Sequence, residues 1–256
     1  MRIVVALKQV PSHDSLLRLN AAARWIQETD LTFETNEPDA YALEEALRLK
    51  AQHGGEVVVL TVGPPRVAQA IRGALAKGAD RAIHIEEENL QDWDVLGVAQ
   101  LMARALEPEQ PDLILTGLQS DDLGHGQTGV VLAELMGLPH ATIIMQVELN
   151  NGSLRVKREL EEGWFQYVQI PLPALLAVQS GISRLRYATL MGIRTAQNKP
   201  VRRLRAAELG VKPNPCVSVS RVYLPHHIRE TQMLEGSPKR VAAKLVERLR
   251  SRARVL

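Results

Sequence analysis

The residues best able to do chemistry are concentrated in Pro111 to Glu134, which reads PDLILTGLQSDDLGHGQTGVVLAE. Asp112 to Thr116 is a short apolar run of strand length, and Gln127 to Met136 carries apolar residues at helical spacing. The polar loop between them holds Gly117, Gly124, Gly126 and Gly129, so its backbone can take positive φ and approach a ligand closely. Its last members fall where a helix begins. The unpaired N–H groups of such a first turn, with the Thr128 hydroxyl, suit a phosphate. Asp121 and Asp122 suit a ribose, or hold the loop through side-chain bonds to its backbone. The stretch also reads as a plain strand-to-helix connection, because neither G-x-G-x-x-G nor G-x-x-x-x-G-K-S/T is present. Only its place in the fold separates the two.

Other chemistries find less support in the residues. Cys216 is the single cysteine, which excludes an internal disulfide and a cysteine-based zinc cluster and fits a reducing, cytoplasmic setting. The seven histidines show no metal-ligand spacing such as H-E-x-x-H, and the adjacent His226 and His227 read as surface residues. No nucleophile and base constellation points to hydrolysis.

The elements that must position the loop follow a regular alternation. Arg2 to Leu7 is an aliphatic run that reads as a central strand, stopped at Pro11. Ala6, Lys8 and His13, at and beyond its carboxyl end, are candidate site-lining residues. Leu16 to Phe33 reads as a hairpin or irregular excursion anchored by Trp25. Asn36-Glu37-Pro38-Asp39 is a helix start in which Asn36 or Asp39 can cap, and the helix runs from about Asp39 to His53, ended by Gly54-Gly55. Strands follow at Glu56 to Val62 and Arg81 to Ile85, with helices at Arg66 to Lys77 and Trp93 to Leu106.

Strands that are aliphatic throughout indicate a parallel sheet covered by helices on both faces. The expected fold is therefore α/β, a doubly wound, mostly parallel, Rossmann-like sheet, whose ligand crevice lies at the carboxyl ends of the strands near Ala6, Val62 and the loop after Thr116. After Ala141 the pattern changes to tightly turned antiparallel strands at Ile143 to Leu149, Leu154 to Leu160 and Trp164 to Ile170, and Leu175 to Val178 can return to the main sheet. Residues 1–195 make the nucleotide-binding domain, and 196–256 an arm that docks on a partner subunit, ending in a basic amphipathic helix at Lys239 to Leu249.

Composition is that of a globular chain of 256 residues, 45% hydrophobic and 23% charged, and with aromatics at 4% the core must be aliphatic. The formal charge of +2 hides a basic segment from Arg184 onward that suits an acidic partner. Without interleaved aromatics it is a weak nucleic-acid signal. No apolar run approaches 18 residues, so neither a membrane span nor export is expected.

Several motifs, in order, resemble the small (beta) subunit of electron transfer flavoproteins from Met1 to about Lys212: VVALKQVP at Val4, ALEEALRLK at Ala42, VGP at Val62, IRGALAKGADRAIHI at Ile71, the GLQSDDLGHGQTG loop, VKRELEEG at Val156, LPALLAV at Leu172 and RYATLMGI at Arg186. The resemblance implies an electron carrier subunit without catalysis of its own. In it, a larger alpha subunit carries the redox-active FAD, which the heterodimer shares, and this chain binds AMP. By position, it places AMP contacts at Ala6, Asn36, Glu37, Pro38, Asp39, Val62, Asp122, Leu123, Gly124, His125, Gly126, Gln127, Thr128, Gly129, Val130, Val131, Leu132 and Ala133. His13 falls near the flavin ring.

Gln179 to Ala188, with Ile182 as apolar anchor, matches the segment that binds acyl-CoA dehydrogenases; the electrons then pass to a quinone-linked acceptor. The family usually has Asn-Glu-Pro before Arg-Tyr, where this chain has Ser183-Arg184-Leu185, so the dehydrogenase is not named by the resemblance. Leu123-Gly124-His125-Gly126 replaces a more acidic run. A bifurcating relative with a second FAD in the AMP pocket, and a stand-alone adenine-nucleotide sensor resembling universal stress proteins, are the alternatives.

Overall fold

The computed structural model describes residues 1–150, 152–225, 231–253 and 255; Asn151 of the expected turn, and His226 and His227, lie outside the described residues. The first strand, β1 (Arg2–Ala6), is followed by a small antiparallel pair, β2 (Gln9–Pro11) and β3 (Phe33–Thr35), which closes the Leu16 to Phe33 excursion at its base. Then come α1 (Glu37–His53), β4 (Glu56–Gly63), α2 (Ala68–Lys77), β5 (Arg81–Glu86), α3 (Val95–Leu106), β6 (Leu113–Gly117) and α4 (Thr128–Leu135). The second half holds β7 (His140–Asn150), β8 (Ser153–Glu159), β9 (Phe165–Pro171), β10 (Ala174–Val178), α5 (Leu190–Ala196), β11 (Val201–Arg205) and α6 (Pro238–Arg248).

Nine of these strands form one sheet in the order β11-β5-β4-β1-β6-β10-β7-β8-β9, parallel up to β7. From β1 the chain steps outward through α1, β4, α2 and β5, and α3 then carries it back across to β6 on the other side of β1. The order reverses between β1 and β6. Loops leaving neighbouring strands diverge at such a point and open a crevice at their carboxyl ends.

Both faces of the sheet are buried, which is why the strands read as aliphatic runs. Ile3, Val5, Val57, Val59, Leu113 and Leu115 pack against α1 and α2 on one side. Val4, Val58, Leu60, Ile83, Ile85 and Ile114 pack against α3 and α4 on the other. Helix ends follow local chemistry: the Asp94 carboxylate accepts from the Gly97 N–H at 2.9 Å to cap α3, and Gly54 and Gly78 end α1 and α2 with φ of 73° and 131°. Among the described residues no helix is long and apolar enough to cross a membrane.

Two features add detail to the expected pattern. The antiparallel extension is continuous with the main sheet, because β7 pairs in parallel with β10 at its start and antiparallel with β8 from Ile144 onward, the register shifting on both sides of Ile143, which has φ 59°. β11, inside the segment expected as an arm, adds a parallel edge strand next to β5. Three of its five residues are arginine and it is largely exposed, so no hydrophobic run announces it. Beyond it the chain is tied back at two points, where the Cys216 N–H donates to Asp94 at 2.7 Å and the Val222 N–H to the Ala23 carbonyl at 2.8 Å.

Two glycines with opposite surroundings test this packing. A methyl group at Gly117 would strike Asp39 and Pro38, whereas at Gly73, inside α2, it meets open space. Gly117→Ala is expected to lower unfolding stability by about 1–3 kcal/mol through overpacking. Gly73→Ala is expected to raise it by about 0.5–1 kcal/mol through helix propensity. Urea unfolding of the two variants checks the pair of signs.

Candidate functional site

The carboxyl ends of β1 and β6 are joined by one buried side chain. Asp39, in the first turn of α1, accepts the Lys8 N–H at 2.8 Å through one oxygen and the Gly117 N–H at 2.9 Å through the other. Helix α1 starts at Glu37, two residues before the expected position, with Asn36 in the cap position and Pro38 in the first turn. The Asn36 side chain makes no cap bond; its Nδ2 donates to the Gln119 carbonyl at 3.0 Å and its Oδ1 accepts from the Asp121 N–H at 2.9 Å. Both residues hold the loop that follows β6.

That loop is fastened from below by its acidic side chains. Asp121 accepts the Glu37 N–H at 3.2 Å, and Asp122 pairs with Lys8 Nζ at 2.6 Å while accepting the Leu123 N–H at 2.8 Å. Ser120 Oγ lies 3.2 Å from the same Lys8 nitrogen. Of the two roles open to these aspartates, the observed bonds are those of holding the loop. Burial alone would raise the Asp122 pKa, but the Lys8 charge and hydrogen bonds from Lys8, Ser120 and Leu123 outweigh it and bring the carboxyl below its ordinary value. Its negative charge is thus compensated where an anion would otherwise be repelled.

With the Asp121 and Asp122 side chains turned inward, the backbone at these two positions faces outward. Gly124 and Gly126 take φ of 63° and 62°, the left-handed turns that bring the chain into α4. Gly129 lets α4 start flush against β6, since a Cβ there would lie 2.7 Å from the Thr116 hydroxyl. The first turn of α4 carries N–H groups without intrahelical acceptors, beside the partly exposed Thr128. Ala6, Val62 and Val131, half-buried, supply an apolar surface on the same side of the sheet. Free amides, permissive glycines, a compensated carboxylate and an apolar wall fit a nucleotide.

The structure therefore brings together Ala6, Asn36 to Asp39, Val62 and the loop from Asp122 to Gly129. Leu132 and Ala133 are fully buried against the α3 side and anchor the helix. His13 is 74% exposed at the rim, its Nε2 3.9 Å from Asp121. Among the described residues no group of three or more His, Cys, Asp or Glu side chains could hold a metal ion.

The sequence that builds this geometry has relatives among known proteins. Residues 24–209 match the family model described as the electron transfer flavoprotein domain. The chain belongs to the electron transfer flavoprotein family. It is 34% identical over 257 residues to electron transfer flavoprotein subunit beta of Methylophilus methylotrophus, covering 96% of this chain and 97% of that one. The Bacillus subtilis (strain 168) beta subunit is 34% identical over 235 residues, 90% and 91% of the two chains. That of Bradyrhizobium diazoefficiens is 32% identical over 259 residues and the whole of both. Electron transfer, as a flavoprotein beta subunit, is the role this family membership carries.

In this flavoprotein chain the 179–188 segment is held by Arg186, whose guanidinium forms a two-pronged pair with Glu44 of α1 at 2.8–3.1 Å, and whose N–H also donates to Glu44. Ile182 packs partly buried against the core. The bare apolar side chains are Tyr187, near the end of the segment, and Leu190 and Met191 just beyond it, with Leu190 83% exposed. Helix α5 is seated so closely on α2 that a Cβ at Gly192 would collide with the Ala76 carbonyl. Sequence reasoning singled out the RYATLMGI motif without seeing which of its residues the fold leaves uncovered.

Burial pushes the Asp39 carboxyl up to about 6 from 3.8, against the opposing effect of its hydrogen bonds and Lys8. A raised folded-state pKa means that the native state holds this proton more tightly than the unfolded chain. The associated stability, about 3 kcal/mol for a shift of this size, is present below about pH 4 and is lost as pH rises through 6. The Asp39 carboxyl carbon, followed by NMR, is expected to titrate near pH 6; a midpoint near 4 would contradict the burial argument.

Proposed function

We propose that this chain is the beta subunit of a heterodimeric electron transfer flavoprotein and that it seats AMP at the crevice between β1 and β6. The observation that carries the nucleotide reading is the loop pinned from within by Asn36, Lys8 and Asp39, its backbone running outward into the first turn of α4. Backbone amides from Gly126 to Gly129, with Thr128, receive the phosphate. Ala6, Val62 and Val131 bear on the adenosine. Lys8 stays paired with Asp122, which keeps the loop's own negative charge away from the phosphate.

A larger alpha subunit carries the FAD, which accepts and passes on electrons when bound. This chain's residues orient that subunit: His13 faces the flavin side, and the part of the 196–256 arm beyond β11 docks on the companion. The apolar residues of α6 fit this, since none of that helix is buried within the chain. An acyl-CoA dehydrogenase type of donor reaches the 179–188 segment, and a quinone-linked acceptor takes the electrons. Because Ile182 is packed against the core, the apolar contact to the donor falls to Leu190 and Met191.

Purified alone, the chain is expected to be colourless; with the alpha subunit of the same organism it should form a yellow complex. Failure to associate would contradict the proposal. Gly126→Val places a β-branched residue in a left-handed position, where it is strongly disfavoured. AMP recovered per complex should fall at least severalfold in this variant, as read by chromatography of the extract. Leu190→Asp should slow flavin reduction by the dehydrogenase about tenfold or more while leaving FAD content unchanged; loss of flavin would instead make that residue structural.

A further inference from the structure

Five arginines among the described residues are partly buried: Arg2, Arg48, Arg66, Arg81 and Arg158. Four rest on carboxylates, Arg2 on Glu56 at 3.0 Å, Arg48 on Glu45, Arg66 on Glu28 at 2.9 Å, and Arg81 on Glu56 at 2.7 Å and Glu109 at 2.6 Å. Arg158 has no acidic partner among the described residues. Its guanidinium makes one long bond, from Nη2 to the Thr142 hydroxyl at 3.5 Å, and its Nε is buried without an acceptor. Withdrawing a charge from water with no counter-ion destabilises the chain that carries it. Such a group makes physical sense when the counter-ion comes from outside.

The place of Arg158 in the sheet says what kind of outside group. Register pairs Leu154 with Ile170, Val156 with Val168 and Arg158 with Gln166, so alternation puts Leu154, Val156 and Arg158 on one face of the antiparallel extension. At Leu154, Val156 and Ile170 that face is buried in the core. Past Arg158 the extended chain continues to Leu160, whose N–H bonds the Trp164 carbonyl at 2.8 Å, and here the cover ends: Leu160 is 41% exposed and Trp164 70%. An unneutralised arginine beside a bare indole and a bare leucine has the chemistry of a protein interface centre. A free anion would satisfy the guanidinium alone and leave both apolar side chains in water.

We infer that Arg158, Leu160 and Trp164 form a docking point for the companion subunit, with Arg158 receiving an aspartate or glutamate carboxylate from that subunit. The inference rests on the heterodimer proposed above and adds a residue and a partner chemistry to it. The carboxylate completes a charge-assisted, two-pronged bond like that of Arg186 with Glu44, while the indole and leucine exclude water from it.

The test compares Arg158→Leu with wild type in two measurements. Thermal unfolding of the free full-length chain should give an unchanged or higher midpoint for the variant, because an uncompensated charge has been removed. Titration against the alpha subunit should give a dissociation constant at least tenfold weaker, with a reduced dependence on salt. Neutralising the partner's carboxylate should then weaken the wild-type complex and leave the Arg158→Leu complex unaffected. A lower unfolding midpoint with unchanged affinity would make Arg158 structural and overturn the inference alone; absence of any complex with the wild-type chain would overturn the heterodimer reading as well.

Discussion

The site depends on a single buried carboxylate spanning the gap between two strands. Asp39 accepts N–H groups from the chain leaving β1 and from the end of β6, two neighbouring strands whose connections run to opposite sides of the sheet. Those N–H groups lie beyond the last β1–β6 pair, Val5 with Leu115, where the two strands no longer meet each other directly. The carboxylate is almost fully buried and pays for it with a raised pKa. Around it the neighbours leave little freedom, because Gly117 has no room for a side chain against Asp39 and Pro38. Strand end, helix start and loop root are thus tied to one side chain.

From this anchor the loop sorts its groups by direction. Polar side chains of Asn36, Asp121 and Asp122 turn inward and satisfy backbone or Lys8, while the backbone of the glycine-rich stretch is left outward. A site of this kind recognises an anion by amide dipoles instead of by formal positive charge. That distinction matters for a loop with two adjacent aspartates, where Lys8 is spent on internal compensation at 2.6 Å. Recognition by backbone would place its demand on the loop's glycine positions and its entry into α4 more than on its other side chains.

Much of the fold was legible because both sheet faces are buried. Aliphatic runs at Ile3 to Val5, Val57 to Leu60 and Leu113 to Leu115 have no polar alternation and so declare parallel strands, and Gly54 and Gly78 mark helix ends within a residue. What the pattern hid was set by tertiary pairing. β11 is an arginine-rich edge strand that hydrogen bonds hold to β5, and β7 joins β10 to β8 through Ile144, next to a backbone irregularity at Ile143 with no sequence marker. In the site, the glycine loop was readable from its residues and spacing, while Asn36 to Asp39 entered only through the family resemblance. The inward turn of the Asn36 and Asp39 side chains was not readable, because a capping residue and a long-range clip use the same atoms. Ile182 and Leu190 show the same limit, since both are apolar in one segment and only packing decides which is covered.

The central claim is that this chain places a mononucleotide against the amides between Gly126 and Gly129 while the flavin belongs to its companion. Acid extraction of the purified heterodimer, with FAD and AMP separated by chromatography and quantified against protein, tests it most directly. The account predicts one AMP and one FAD per heterodimer; two FAD and no AMP, or FAD with no second nucleotide, would contradict it.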